Sequence, residues 1–223
     1  MNTFKRFILF LSVIGLLGGC NSMENKNSRE WIENKIANLE KIYPTSNIYE
    51  LFEKFPKGFR IVYSETIGKQ DITHKELELW TTEEKTIVGR YRELIWKEGK
   101  AVSEQQTLKD IEVNVTPLGE ILNSTSNEKI DFVKSGFLFQ NVKINQSILR
   151  KLSSQFYDYS FDTKRYSISY SPIDDMSTSF DRQSIIDIDG NERLDKLGFN
   201  SFISIRLEDK TITERIDEQD ILN

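Results

Sequence analysis

Phe59-Arg60-Ile61-Val62-Tyr63-Ser64-Glu65-Thr66 is the stretch on which the reading of the fold turns. Phe59, Ile61 and Tyr63 recur at every second position, the period of a strand with one buried face. The chain keeps that texture downstream. Gly68-Lys69 marks a turn, Ile72 to Trp80 alternates apolar with polar residues, Thr81 to Lys85 reads as a loop, and Thr86 to Trp96 is a third strand. Lys97 to Lys100 reads as a tight turn into a strand over Ala101 to Leu108. A shorter alternation, Ile111, Val113 and Val115, then ends at Pro117. Successive strands joined by short turns describe an antiparallel meander.

Upstream, the period changes to that of a helix. Ser28 is a candidate N-cap, and Ile32, Ile36, Leu39 and Tyr43 follow at helical spacing until Pro44 stops the run. Asn47, with Glu50 three residues on, can cap a second, short helix carrying Ile48, Leu51, Phe52 and Phe55, which Pro56-Lys57-Gly58 closes. These aromatic and aliphatic residues read as core.

Beyond the meander, Asn123 to Glu128 is the best candidate linker. The order of helix then strands recurs after it. Ile130 to Leu138 is apolar enough for a buried helix or strand, and Asn145 can cap a helix with Ile148, Leu149, Leu152 and Phe156 on one side. Arg165 to Ser171 alternates strictly, with Ser179 to Ile188 as its hairpin partner ending at an Asp189-Gly190 turn. A short helix over Glu192 to Leu197 and strands over Phe202 to Leu207 and Thr211 to Ile216 complete the chain. The expected class is α+β. N-terminal helices pack on an antiparallel meander over 28–122, and a second helix-plus-antiparallel-strands half over 123–223 joins the same compact unit.

The first nineteen residues are of another kind. Lys5 and Arg6 precede an apolar run, Phe7 to Leu17, too short for a permanent span of roughly 20 residues. Basic flank, short apolar core and small-residue exit are the build of a secretory signal peptide. Leu17-Gly18-Gly19-Cys20 resembles the lipobox of bacterial lipoprotein signal peptides. That resemblance implies cleavage before Cys20 and a diacylglycerol and N-acyl lipid carried covalently on its residue. Residues 20–27 then read as the lipidated cysteine and a polar tether. The expected location is the extracytoplasmic face of the cell membrane, held by lipid.

Composition narrows the partners. The chain has 223 residues, 38% hydrophobic and 29% charged, which is ordinary for a globular domain. The net charge of −5 is spread without a basic block, against nucleic acid as a partner. Cys20 is the single cysteine, so no disulfide staples the domain.

Reactive residues are few. His74 is the single histidine and sits in an alternating strand, where a surface or cross-strand role is the plain reading. One histidine and a lipidated cysteine do not make a zinc site. No Gly-x-Ser-x-Gly elbow or phosphate loop occurs, and Ser153 and Ser154 have no base nearby in sequence. Asp187, Asp189, Asn191 and Asp195 resemble the opening of an EF-hand loop. Gly190 is two places early for that loop's turn, however, and Gly198 stands where its closing Glu belongs. Asp174-Asp175 and Glu83-Glu84 are adjacent carboxylates that solvation alone explains. No catalytic residue and no cofactor is expected.

The order of features is similar to the tandem-type lipoproteins of staphylococci. The match rests on the lipobox, Ile42-Tyr43-Pro44 followed by Asn47, Glu50, Leu51 and Phe52, and Ile168-Ser169-Tyr170-Ser171-Pro172. The chain departs from that family in lacking the Lys- and Gly-rich turn and the Gly-Thr-Trp after the early helices. The resemblance implies a non-enzymatic surface lipoprotein that meets a protein outside the cell, and brings no catalytic residue with it. Two alternatives are a small or apolar ligand site lined by Trp80, Trp96, Phe137 and Phe139, and a carboxylate-based envelope hydrolase. A role in protecting the cell from a bacteriocin or phage leaves no mark in the sequence.

Overall fold

A computed structural model describes residues 25–98, 105–134, 136–171, 176, 180, 183–192 and 201–218. Leu17, Gly18, Gly19 and Cys20, the strand start at Ala101, Asp174, Asp175 and Asp195 lie outside these residues. So does the helix expected over 192–197, beyond its first residue.

The chain is mainly β, with helices that are few and short, and so matches the α+β expectation in part. Helix α1 spans Arg29–Ile36 and runs on as a 3₁₀ turn over Ala37–Lys41. The Ser28 hydroxyl caps α1 by accepting from the Trp31 N–H at 3.2 Å. A second 3₁₀ turn, Ile48–Glu50, leads into α2, Leu51–Lys54, and the Asn47 side chain accepts from the Tyr49 N–H. The strands β1 Phe59–Ile67, β2 Ile72–Thr81, β3 Ile87–Trp96, β4 Gln106–Val115 and β5 Ile121–Asn123 follow. Helices α3, Leu138–Asn141, and α4, Gln146–Leu149, precede β6 Ser154–Tyr159, β7 Arg165–Tyr170, β8 Ile185–Asn191, β9 Ser201–Arg206 and β10 Lys210–Glu218.

These strands form one antiparallel sheet in the order β5-β4-β3-β2-β1-β10-β9-β8-β7-β6. The last strand closes onto the first over nine residue pairs, Phe59–Glu218 to Ile67–Lys210. The two stretches on either side of the Asn123 turn are therefore joined in the middle of the sheet. Alternation gives the sheet two unlike faces. At one level the inward residues run Ile111, Tyr91, Leu77, Tyr63, Glu214, Ile203, Ile188, Ile168 from β4 to β7. Outward, a parallel row reads Asp110, Arg92, Glu76, Ser64, Thr213, Ser204, Asp187, Ser169, and carries ion pairs such as Arg206–Asp187.

The inward face is covered by the remaining elements. Over β6 and β7, α1 seats Trp31 edge-on against Tyr159 and Tyr166 at 5.1 and 6.0 Å. At the other end Phe52 meets Phe59 at 5.1 Å and the Tyr49 hydroxyl donates to the Val115 carbonyl. The segment 129–137 lies over β1 to β3, where Phe132 packs on Tyr63 and Tyr91 at 5.5 and 5.1 Å. Among the described residues, no helix is long and apolar enough to cross a membrane.

Several expectations are corrected. Asn123–Glu128 is not a linker but a tight turn: the Asn123 side chain accepts from the Thr125 and Ser126 N–H groups, and Leu122 bridges to Lys129. Ile111 to Val115 is no separate strand but the end of β4. The segment 130–138 is neither helix nor strand for most of its length, although Phe132, Phe137 and Leu138 are buried. Asn145 does cap a helix, accepting from the Ile148 N–H at 2.9 Å, yet that helix ends at Leu149 and Phe156 belongs to β6. Asp189-Gly190 is not a turn. Both residues pair inside β8, Gly190 opposite Tyr166 on one side and Ser201 on the other.

Candidate functional site: a lysine-rich cleft on the covered face

One level along from the apolar row, the inward residues of the first four strands change character. Lys109, Glu93, Lys75 and Glu65 stand in register across β4, β3, β2 and β1, alternating in sign. Past Glu65 the same row continues as Ile212, Ile205, Ile186 and Tyr170, and is buried. A cleft of about 580 Å³ opens over the charged half, a volume within the range of ligand sites. Residues 129–132, 134 and 136 form one wall, with Phe180 and the Lys210 and Ile212 side of β10 completing the surround.

The floor is built from one unit used twice. On β1 the Tyr63 hydroxyl donates to Glu65, and on β3 the Tyr91 hydroxyl donates to Glu93, each at 3.2 Å. Burial, then the adjacent carboxylate, pushes both phenols above their ordinary range, so they stay neutral donors. Each carboxylate also meets a lysine, Lys210 with Glu65 at 2.7 Å and Lys109 with Glu93 at 3.6 Å. Lys75, a half-buried residue, stands between two carboxylates already engaged by others, and among the described residues it forms no ion pair. On the wall, Lys134 pairs with Asp131 at 2.9 Å, while Lys129 reaches outward to Glu120 at 3.1 Å. The lining thus sets five lysines against three carboxylates. With Lys129 paired outward, the excess among the described residues is one lysine, Lys75, and low-dielectric walls focus the field of such a charge. Ile111, Phe132 and Ile212 supply an apolar strip beside it.

A fully buried carboxylate sits one level deeper on β10. Glu214 accepts from the Tyr43 hydroxyl at 2.9 Å and from the Leu138 and Phe139 N–H groups, each at 2.8 Å. Burial raises its pKa to about 7, and these three hydrogen bonds pull it back only in part. The group ties the N-terminal segment, α3 and the sheet together and is closed off from the cleft floor by Tyr63 and Phe137, whose rings meet at 5.7 Å.

The candidates raised by the sequence are elsewhere. His74 faces away from the cleft, its Nδ1 3.0 Å from the Thr66 hydroxyl and its ring against Trp96 at 5.2 Å. Asp187, Asp189 and Asn191 lie in an extended strand, which spaces alternate residues by about 6.6–6.8 Å and does not curl them around an ion as a loop would. Asp187 is held by Arg206 and by the Ser169 hydroxyl. Burial, then Asp187, raises the Asp189 pKa to about 6. Among the described residues, no three His, Cys, Asp or Glu groups are placed to share a metal. Phe137 and Phe139 stack at 5.1 Å within the core, Trp80 borders an open depression on the outward side, and Ser154 begins β6. The four aromatics thus line no common cavity. Glu83 and Glu84 are exposed in the β2–β3 turn.

Sequence reading missed the cleft, though it left a signal. Tyr63-x-Glu65 and Tyr91-x-Glu93 each put a charge on the apolar face of a strand, where alternation alone calls for another hydrophobic residue. No protein-family model matches the chain, and comparison with curated proteins finds no match.

Proposed function

We propose that this chain is an exported, lipid-anchored surface protein that works by binding rather than by catalysis, and that the lysine-rich cleft receives an acidic segment of a partner protein. The lipobox residues Leu17 to Cys20 and the resemblance to tandem-type lipoproteins support the location and the non-enzymatic class. The observation that carries the binding reading is Lys75, a half-buried lysine whose neighbouring carboxylates are already paired, at the floor of an open cleft. A carboxylate entering there would pair with Lys75 without displacing an existing ion pair. The mixed lining argues against an apolar cargo, and the aromatic residues that would have lined such a cavity fill the core or lie apart.

A peptide array probed with the full chain and with Lys75→Glu tests this. Peptides retained by the parent chain should be enriched in Asp and Glu, and Lys75→Glu should weaken them about tenfold, the loss of one ionic contact of about 1.4 kcal/mol. Retained peptides without acidic enrichment, or equal retention by the variant, would remove the cleft from the account.

A further inference from the structure

The described chain enters the domain at a particular place. Lys26 pairs with Glu192 at 2.6 Å, and its ammonium lies 5.6 Å from both the Trp31 and Tyr159 rings. This is the end of β6 next to the β6–β7 turn, at the outermost strand of the sheet. Five residues separate Cys20 from Lys26, so the six Cα–Cα steps reach at most roughly 20 Å. A lipid on Cys20 therefore holds this edge close to the bilayer, whatever path those five residues take.

The same edge carries the densest exposed aromatic surface among the described residues. Phe156 is 56% exposed, Tyr157 42% and Phe161 61%. Phe161 is set in the turn by an edge-on contact with Tyr159 at 4.9 Å. We propose that the β6 edge and the β6–β7 turn rest on the membrane, with Phe156, Tyr157 and Phe161 in its interfacial layer. This rests on the lipid-anchor reading.

Aromatic rings prefer the headgroup boundary, where one side is apolar and the other wet. The depth is limited by the strand itself. Among the described residues β6 pairs on one side alone, and its outer N–H and C=O groups need water or headgroups, which the hydrocarbon interior does not offer. The contact is therefore shallow. Charge does not drive it, since Asp158 and Asp162 stand against Lys164 and Arg165 along the same turn. Binding by this face should depend little on anionic lipid. The opposite edge, β5 with the β4–β5 turn, then points away, and the cleft over β1 to β4 stays open to partners.

The test uses the full lipidated chain in phosphatidylcholine vesicles whose acyl chains are brominated near the headgroup. Phe161→Trp and Leu118→Trp add a reporter at each edge, Leu118 being 83% exposed in the β4–β5 turn. Intact mass first establishes the lipid on Cys20. The added emission at position 161 should fall by at least about half, as for a ring within 5–10 Å of the acyl boundary, while that at 118 is unchanged. Lipidated protein with no quenching at 161, or equal quenching at both positions, overturns the proposal and leaves the anchor in place. Protection of position 161 that grows with protein concentration would instead assign the edge to a second copy, and also overturns it. A chain without lipid on Cys20 removes the anchor reading and this proposal with it.

Discussion

Glu214 shows how one residue decides what the core can be. It lies on the inward row between Tyr63 and Ile203, with Ile212 and Ile216 on either side along β10, yet it is fully buried. An unpaired carboxylate there would be untenable, and three donors arriving from two separate segments make it tolerable. Its pKa is raised, from 4.5 to about 7, so the folded state holds the proton more tightly than the unfolded chain. The contribution is full below about pH 4.5 and is lost as pH rises through 7, by up to about 3 kcal/mol. Urea unfolding of the parent and Glu214→Gln checks it: the parent's advantage over the variant should be greater at pH 5 than at pH 8. A constant difference would mean that the carboxylate folds with an unshifted pKa. The sequence did carry a signal for Glu214, which falls between Ile212 and Ile216 on the apolar side of the alternation, but a strand alone does not show which donors will cover it.

At the scale of elements, strands were legible wherever burial alternates with exposure, and illegible at the edge. β1, β2, β3, β7, β9 and β10 all follow their alternation to within a residue or two at each end. β6 does not, since four of its six residues are exposed and no period survives. Phe156 falls at helical spacing from Leu149 and Leu152, so a true cap at Asn145 leads the reading into a helix that the chain leaves after one turn. The Asp189-Gly190 pair misleads for a different reason. Gly190 is needed not for a turn but for space: a Cβ there would lie 2.3 Å from the Tyr166 ring across the strand pair. Gly190→Ala should therefore cost about 1–3 kcal/mol by forcing Tyr166 out of its place beneath Trp31. Thermal unfolding, with the near-ultraviolet dichroism of those rings as a second reading, measures this. An unchanged midpoint would show that β7 and β8 are not packed as described.

For the whole molecule, the useful contrast is between the two ends of one sheet face. Past Glu65 toward β7 the inward row is apolar and buried, with α1 over its β7 end, and toward β4 it is charged and opens into the cleft. Composition could not show that asymmetry, since a net charge of −5 for the chain hides a local excess of lysine. Only the register that brings Lys75 between Glu65 and Glu93 makes the cleft visible, and register across four strands is a property of the folded sheet. The most direct measurement is a titration of the isotope-labelled full chain carrying Cys20→Ala with oligoglutamate, followed by backbone amide shifts. The account predicts saturable shifts at Glu65, Lys75, Tyr91 and Glu93, weakening as salt shortens the screening length, with an affinity about tenfold lower in Lys75→Glu. Shifts confined to the outward face, or none on the cleft floor at any concentration, would contradict it.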